Sequence, residues 1–482
     1  MFKLPEYAVS LIDTPQFQRL RDLKQLGVTY LVFPGAAHNR FEHSLGTAHL
    51  AWSVAGRLTL LQGKSLDLNK SDVAVATMAG LCHDLGHGPF SHVFDNELLP
   101  RLGITDFSHE EMSCRLFDDA LEEAMSGNSR GARFLDELHA ETGGKDFELV
   151  KDMISNGKGA NNKRDKPGYD GRRYLFDIVA NTTNSIDVDK FDYIVRDAYY
   201  TGVKVSFEYK PVTANMCIFD DQIAFRRNQV HNLYELFHAR SSMHRRVYTH
   251  PKAKAMEYMI VDALSEAASH LKIRERIQGS ADFMKLDDTI LKQIELYEGS
   301  DAGMARARDI IGRLKRRDIY TCCGDVVVPK SVATNPDYKK IEPQDILNSC
   351  DHSILTPDDV IVHNLKIDFA MGSQNPLENV KLYDADYAEA RTMPMCSMST
   401  MYATEPIERR VRVFLKSRDP VKVRHLQECF DKWGAREYGE QHFATATPAK
   451  KSGFKGVLTG KRLREKDDGG DGVRRQLPYT KS

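Results

Sequence analysis

The sequence predicts a mainly α-helical protein with a smaller C-terminal α/β lobe. Over the first 115 residues, and again from residue 174 to about 317, apolar residues recur at intervals of three and four. This is the period of a helix with one buried face. From residue 319 the pattern changes to short β-branched runs at 326–329, 359–363 and 410–415, which are typical of strands.

Several elements can be placed in order along the helical region. Residues 15–26, 44–61 and 71–81 are predicted helices joined by short loops. Residues 156–173 are rich in glycine and charge and have no periodicity, so they are predicted to form an exposed loop. A strand-like stretch at 216–226 interrupts the second helical run.

These patterns divide the chain into a helical domain over 1–318, an α/β lobe over 319–435 and a tail over 436–482. The tail holds 11 basic and 6 acidic residues without periodicity, so it is predicted to be disordered. The whole chain has 67 basic and 68 acidic residues, so its charge indicates neither a nucleic-acid nor a membrane binder. No apolar run approaches the length that spans a membrane, and no membrane partner is expected.

The cysteines predict the compartment. None of the eight cysteines belongs to a CxxC pair, and the N-terminus lacks the pattern of a secretory signal. The protein is therefore expected in a reducing intracellular compartment, the nucleus or the cytoplasm.

A dense group of polar residues interrupts the apolar pattern near residue 83. A single His or Asp beside an apolar run is usually a hydrogen-bonded core residue or a helix cap, but five within thirteen positions favour chemistry. The five are His83, Asp84, His87, His92 and Asp95. Together with His43 and Asp189, the pair His83-Asp84 forms a mixed imidazole and carboxylate set. Such a set binds one divalent metal ion and activates water beside a phosphate.

A second group of polar residues has helical spacing. If a helix begins with Asn184 or Ser185 as its cap, Asp189, Tyr193 and Asp197 lie on one face. That face could present a metal ligand, a hydroxyl and a carboxylate to one ligand. Taken alone, the same spacing also fits a solvated surface helix.

A third group repeats this spacing with basic and aromatic residues. Arg240, His244 and Tyr248 are again four residues apart. Basic and aromatic faces of this kind also occur on ordinary interface helices, so the pattern alone is only moderately specific.

Four stretches of the chain, 12–21, 33–46, 81–92 and 186–190, together resemble the SAM-and-HD-domain deoxynucleotide triphosphohydrolases. The resemblance extends over roughly residues 8–435 in motif order and spacing. It implies an HD-domain helical core without the SAM module of the animal members.

The resemblance implies that water attacks the α-phosphorus of a dNTP and releases the deoxynucleoside and inorganic triphosphate. One divalent ion per active site, Fe, Mn or Zn, would be held by His43, His83, Asp84 and Asp189, and Mg would accompany the nucleotide. His92 would be the general acid, oriented by Asp95, with His109 and Glu110 as a supporting pair.

The resemblance also implies roles in binding the substrate. The triphosphate would be neutralised by Arg40, His87, Lys190, Arg240 and His244. Tyr193 lies on the same helix face as Asp189 and Asp197 and would also contact the substrate. Gln25 and Asp197 would hold the 3′ hydroxyl of the sugar, and Leu26 and Tyr248 would pack under its C2′ atom. A 2′ hydroxyl would then clash and lose hydration without a partner. The position after Tyr248, usually Gln, is Thr249, which leaves base preference open.

Family members assemble as tetramers when a guanine nucleotide and a dNTP bind between subunits, so a homo-oligomer, dimer or tetramer, with a GTP or dNTP activator is implied here. The positions that match the regulatory contacts are Asp13, Gln18, Arg21, Arg226, Asn232, His250 and Arg317. However, the Lys, Val and Asn that normally precede them are missing from residues 1–9.

The regulatory contacts also differ in charge. Four positions that are basic in the family pattern are uncharged in this sequence, namely Pro211, Asn228, Pro251 and Gln374. Basic residues lie one position away from three of them, at Lys210, Arg227 and Lys252. Each charge-assisted contact contributes about 1.5–3 kcal/mol, so guanine-nucleotide activation is expected to be altered or reduced.

Two other functions remain open from the sequence. HD-type phosphodiesterases that act on other nucleotides share the His-Asp doublet but would not need Tyr248 or Asp197. Alternatively, the basic residues at 313–317 and the tail could give weak single-stranded nucleic-acid binding, although charge runs are more often solvated surfaces.

Overall fold

The computed structural model describes residues 3–156, 162–335, 338–350, 354–385, 389–402 and 406–440. Most of the predicted basic tail, from residue 441, and part of the predicted loop at 156–173 lie outside these ranges. Among the described residues, no helix combines the length and the apolarity needed to cross a bilayer.

Helices dominate the described chain, which confirms the predicted mainly α fold. In the first half they are α1 (Glu6–Ile12), α2 (Pro15–Gln18), α3 (Arg40–Leu66), α4 (Lys70–Cys82), α5 (Leu99–Arg101), α6 (His109–Met125), α7 (Arg130–Thr142), α8 (Lys145–Ile154), α9 (Tyr174–Val179), α10 (Val188–Thr201) and α11 (Tyr209–Ala214). In the second half they are α12 (Val230–Met243), α13 (Pro251–Ala267), α14 (Ile273–Arg276), α15 (Ser280–Phe283), α16 (Ile290–Glu295), α17 (Ala302–Lys315), α18 (Lys330–Ala333), α19 (Pro343–Leu347), α20 (Met395–Met398) and α21 (Pro420–Tyr438).

The predicted helices at 44–61 and 71–81 are confirmed within α3 and α4, which pack against each other. Both begin at an asparagine whose side chain accepts backbone hydrogen bonds, Asn39 for α3 and Asn69 for α4.

The prediction of one helix over 15–26 is wrong. The chain forms the short helix α2 and a 3₁₀ turn over Arg19–Asp22, and Leu23 is then extended. The buried guanidinium of Arg19 donates to the carbonyl oxygens of Leu85 and His87, and Lys24 forms a bridge with Asn39. These tertiary bonds replace the helical bonds of a third turn and bring Gln25 beside α3.

The predicted cap of the helix that carries Asp189 also differs. The cap of α10 is Asp187, whose side chain accepts the backbone N–H of Lys190, and not Asn184 or Ser185. Ser185 has a φ of 61°, which belongs to the turn before the helix. The helix therefore begins at Val188, two residues later than it would with Ser185 as its cap.

Two small sheets accompany the helices. The predicted strand-like stretch forms the hairpin β1 (Met216–Phe219) and β2 (Gln222–Arg226). The second sheet is formed by β3 (Thr321–Val327), β4 (Val360–Asp368) and, in the centre, β7 (Ile407–Leu415), all antiparallel. The predicted runs at 359–363 and 410–415 overlap β4 and β7, whereas only the first two residues of the run at 326–329 lie in β3.

The C-terminal region also adds strands to the hairpin sheet. β5 (Lys381–Tyr383) pairs in parallel with β2, and β6 (Ala390–Arg391) pairs with β5. The main hydrophobic core likewise includes Leu382 and Phe414 beside the helices, whereas a second core lies between the three-stranded sheet and α21.

Gly46 of α3 leaves room for two charged side chains of α10. A methyl group at this position would overlap the carboxylate of Asp192 and the guanidinium of Arg196, both on α10. Because Asp192 also bonds to His43, a side chain at position 46 would disturb the surroundings of this predicted metal ligand.

We expect Gly46→Ala to lower the free energy of unfolding by about 1–3 kcal/mol, because the methyl group must displace the carboxylate of Asp192 from its bonds to His43 and Arg196. Gly56→Ala in the same helix is the matched control, since nothing lies within 4 Å of its added methyl group. Thermal and denaturant unfolding of both variants measure the difference. Equal stability of the two would contradict the proposed contact.

Candidate active site

A cavity of about 730 Å³ opens where α3, α10, α12 and the chain after α4 meet. It contains every predicted metal, catalytic and substrate residue except Asp95. Those that line it are Gln25, Leu26, Arg40, His43, His83, Asp84, His87, His92, His109, Glu110, Asp189, Lys190, Tyr193, Asp197, Arg240, His244 and Tyr248.

The four predicted metal ligands converge from three elements. His43 comes from the first turn of α3, His83-Asp84 follows the end of α4, and Asp189 lies in the first turn of α10. His43 Nε2 lies 3.1 Å from Asp189 Oδ1 and 3.5 Å from Asp84 Oδ2. His83 Nε2 lies 3.5 Å from Oδ1 of both Asp84 and Asp189.

The second nitrogen of each histidine is oriented by a fixed partner. His43 Nδ1 donates to Asp192 Oδ2 at 2.8 Å, and His83 Nδ1 donates to the carbonyl oxygen of Gly80 at 2.9 Å. Both Nε2 atoms therefore point into the cluster, where each offers a lone pair to an ion that displaces its proton, as histidines that bind metal usually do. His83 Nε2 is buried without a well-formed hydrogen bond in the described chain. This donor set fits a divalent metal ion.

The electrostatics of the cluster favour an added positive charge. Burial alone would lower the pKa of His43, but its bonds to Asp189 and Asp192 outweigh burial and raise the pKa to about 10. Burial would raise the pKa of Asp189, yet His43 and His83 hold it well below its ordinary value. A metal ion would take the place of the proton that these carboxylates attract.

Three histidines form a row beside the metal cluster. The rings of His87 and His109 stack with centroids 4.0 Å apart, and His92 meets both rings edge-on. Asp95 Oδ2 lies 2.8 Å from His109 Nδ1 and 3.6 Å from His87 Nδ1. The nearest charged partner of Asp95 is thus His109, whereas it was predicted to orient His92. The reason is that the π-helical turn Phe94–Leu98 directs Asp95 toward the start of α6.

Neighbouring charges shift the pKa values of His92 and His109 in opposite directions. Desolvation in the cleft, together with Arg40 and His109, lowers the pKa of His92 to about 4, although the side chain reaches solvent. Burial would also lower the pKa of His109, but Asp95 and Glu110 raise it. Of the three rings, His109 therefore holds a proton most readily.

The loop that carries His92 is held in an unusual conformation. Phe90 and Ser91 have φ values of 60° and 59°, a region that residues with a Cβ rarely adopt. Asp288 fixes the loop by accepting the backbone N–H groups of Phe90 at 2.7 Å and of Lys24 at 2.9 Å. Backbone strain of this kind is common at functional sites.

The far end of the cleft is built around Asp197. This buried carboxylate accepts a bond from His38 Nε2 and another from the Tyr248 hydroxyl, each at 2.7 Å. Gln25 Oε1 is buried and has no hydrogen-bond partner in the described chain. Leu26 and Tyr248 pack on one small apolar cluster, so this end of the cleft combines polar groups with an apolar floor.

The predicted phosphate-binding cations have protein partners in this ligand-free chain. Arg40 bonds to Asp84, Lys190 Nζ bonds to Asp187 at 2.8 Å, and Arg240 donates to the carbonyl oxygen of Asp368. Burial and Arg240 lower the pKa of His244 to about 3. An incoming anion would have to exchange with some of these partners.

The third predicted face changes its helical type midway. α12 ends at Met243, and the chain continues as a π-helical turn over His244–Tyr248. The wider turn still leaves Arg240, His244 and Tyr248 on the cleft wall. Turns of this kind often occur at functional sites.

Sequence reasoning missed several residues that support the site. Two of them could have been found from their position in the sequence. Asp192 lies three residues after Asp189 on the same helix, and His38 lies within the motif that contains His43. The sequence gives no sign of the roles of Asp187 and Asp288, because a helix cap and a bridge between loops depend on tertiary contacts.

The predicted regulatory residues lie apart from the cleft, since none of them lines it. Asp13 and Arg21 are exposed beside Gln18, whose Oε1 accepts from Arg21 Nε at 2.8 Å. The remaining four are in two groups, Arg226 with Asn232 at the junction of β2 and α12, and His250 with Arg317 beside α13.

Comparison with known proteins identifies the class first. Residues 40–194 match the model of the HD domain, and this range contains all four predicted metal ligands. The class is therefore that of HD-domain proteins.

The relatives identify the family. The chain is 34% identical over 432 residues to the deoxynucleoside triphosphate triphosphohydrolase SAMHD1 homolog of Dictyostelium discoideum, covering 89% of this chain and 78% of that protein. It is 36% identical to deoxynucleoside triphosphate triphosphohydrolase SAMHD1 of Xenopus laevis, covering 88% and 71%, and 33% identical to that of Homo sapiens, covering 89% and 71%. The chain belongs to this family, which confirms the resemblance of its motifs.

We expect Asp192→Asn to weaken metal binding about 10–100-fold, because His43 would lose the carboxylate that orients it. Titration with Mn²⁺ followed by electron paramagnetic resonance measures the affinity. Asp146→Asn removes a buried carboxylate that pairs with Arg172 outside the cleft, and it should leave the affinity unchanged. Equal affinity of the two variants would contradict the role of Asp192.

Proposed function

We propose that this protein hydrolyses dNTPs to the deoxynucleoside and inorganic triphosphate. The observation that carries the proposal is that one cleft joins a histidine–aspartate metal cluster to the pocket formed by Asp197, Tyr248 and Leu26. The cluster suits a phosphate, and the pocket suits a sugar without a 2′ hydroxyl. The names of the relatives support the same substrate class.

The cluster of His43, His83, Asp84 and Asp189 would hold one divalent ion. When bound, this ion would polarise the α-phosphate and lower the pKa of water. A donor set of imidazole nitrogens and carboxylate oxygens without thiolate suits Fe, Mn or Zn, while Mg would accompany the triphosphate.

The remaining side chains would complete the reaction at the α-phosphorus. A water oxygen bonds to phosphorus, the bond to the 5′ oxygen breaks, and His92 donates a proton to that oxygen. Burial, Arg40 and His109 lower the pKa of His92 to about 4, so it is mostly neutral at pH 7. A polyanionic triphosphate beside the ring would raise this pKa and favour the protonated acid.

We expect His92→Ala to lower kcat with a dNTP about 10²–10⁴-fold. The loss should be much smaller with an aryl triphosphate, because its phenolate leaving group needs no proton. Steady-state rates for both substrates test the assignment, with His270→Ala, which lies outside the cleft, as the control. An equal loss with the two substrates would exclude His92 as the general acid.

Deoxyribose selection would rest on the floor of the pocket. Tyr248 is held by its bond to Asp197 and packs with Leu26 on the cluster of Val203, Met243 and Val247. A 2′ hydroxyl above this floor would lose water and find no partner, which disfavours ribonucleotides. Asp197 and Gln25 would bind the 3′ hydroxyl.

We expect Tyr248→Ala to reduce the preference for dNTPs over NTPs about 10–100-fold, because a hydroxyl then fits above the floor. Tyr248→Phe keeps the ring and should retain most of the preference while losing the bond to Asp197. The ratio of kcat/KM for dGTP and GTP measures the effect. Selectivity that survives in the alanine variant would mean that another group rejects the 2′ hydroxyl.

Identification of the products tests the function as a whole. Purified protein is incubated with each dNTP under Mn and Fe supplementation, and the products are identified by mass. Deoxynucleoside plus triphosphate is the expected result, and Asp189→Ala should abolish it. Release of a monophosphate or pyrophosphate would instead indicate a phosphodiesterase-type activity. Nucleic-acid binding that survives Asp189→Ala, with steep salt dependence, would indicate a separate binding role.

Regulation would involve a homo-oligomer, a dimer or a tetramer, with guanine nucleotide and dNTP bound between subunits. The exposed positions of Asp13 and Arg21 suit contact with such a ligand. The uncharged residues Pro211, Asn228, Pro251 and Gln374 would leave the triphosphates with fewer cations than in the family pattern.

We therefore expect weak or altered activation by GTP, measured as hydrolysis rate and as particle mass with and without GTP. Asn228→Lys combined with Gln374→Lys restores cations and should strengthen both responses. Steep GTP-dependent activation and tetramer formation by the unmodified protein would contradict this expectation.

A further inference from the structure

The C-terminal lobe brings together two cysteines and a histidine outside the catalytic cleft. His425 and Cys429 are four residues apart on α21, so they lie on one face of the helix. Cys350 follows α19, a helix that packs against α21. One ligand atom from each of the three side chains lies within 4.8 Å of the other two.

The separation of the ligand atoms suits a metal ion. Cys429 Sγ lies 3.7 Å from His425 Nε2. A tetrahedral zinc ion with bonds of about 2.3 Å to sulfur and about 2.0–2.1 Å to nitrogen would set these two atoms about 3.5 Å apart. Only a small inward movement would therefore complete the coordination.

The surroundings also suit a site that an ion can enter. Cys429 is fully buried at the edge of the core between α21 and the three-stranded sheet, whereas Cys350 and His425 are half-buried. The cluster thus has a closed apolar side and a side open to solvent. Among the possible metal-binding groups of the described residues, it is the one that contains cysteine.

We propose that Cys350, His425 and Cys429 form a second metal site that binds a thiophilic divalent ion of the zinc class. Binding releases the two thiol protons and forms two metal–sulfur bonds and one metal–nitrogen bond, while water takes the fourth position. Thiolate and imidazole ligands select zinc over manganese, unlike the catalytic cluster of nitrogen and oxygen ligands. The ion would fasten the chain after α19 to α21.

The two sites can be separated experimentally because the catalytic cluster contains no cysteine. Zinc is replaced by Co²⁺ in the full-length protein, and the near-ultraviolet absorption is recorded. A thiolate-to-cobalt charge-transfer band reports the C-terminal site alone. We expect such a band with one equivalent of Co²⁺, and its absence from the unmodified protein would overturn the proposal.

Variants assign the band to the three side chains. Cys350→Ser, Cys429→Ser and His425→Ala should each weaken or abolish it, whereas Cys323→Ser, a buried cysteine of the same lobe outside the cluster, should retain it. His425→Ala removes a half-buried side chain and so keeps the test valid even if a cysteine variant fails to fold. A band that persists in all three variants would overturn the assignment.

Metal analysis provides an independent readout. The variant His83→Ala damages the catalytic cluster and so leaves only the C-terminal site to bind zinc. When this variant is purified under reducing conditions, it should still contain about one equivalent of zinc, measured by mass spectrometry. A metal-free protein in which Cys350 and Cys429 are joined by a disulfide, or are free thiols that do not take up zinc, would overturn the proposal.

Discussion

The contact between α3 and α10 is the constraint on which the metal cluster depends. Gly46 leaves room between the helices for the carboxylate of Asp192, which accepts bonds from His43 on α3 and from Arg196 on its own helix. Asp189, one turn earlier on α10, is thereby brought within 3.1 Å of His43. A metal site needs its ligands fixed to a fraction of an ångström, and helices in close contact provide that precision better than loops do.

The cations of the cleft are paired with protein carboxylates or carbonyl oxygens that an incoming anion could replace. Arg40, Lys190 and Arg240 each have a carboxylate partner, so these three buried or half-buried cations are paired within the protein. Binding a triphosphate would replace these partners, and it would move protons along the row of histidines. Affinity and protonation are therefore coupled through the same cations.

Much of this site could be predicted from sequence because its signals are local. The faces of Asp189 and Arg240 follow helical spacing, and the cluster around His83 is dense within one short segment. The pairing of Asp95 with His109, the cap at Asp187 and the meeting of Cys350 with Cys429 could not be predicted. Each depends on how distant segments pack or on a turn whose backbone differs from a regular helix.

The parallel pairing of β5 with β2 also constrains how the chain can fold during synthesis. The hairpin of β1 and β2 is made early, but its third strand emerges only after the first strands of the C-terminal lobe have been translated. Until then the edge of β2 presents unpaired backbone groups that could pair with another chain. Pairing β2 with β5 closes a loop of more than 150 residues, and loop closure of this length slows folding.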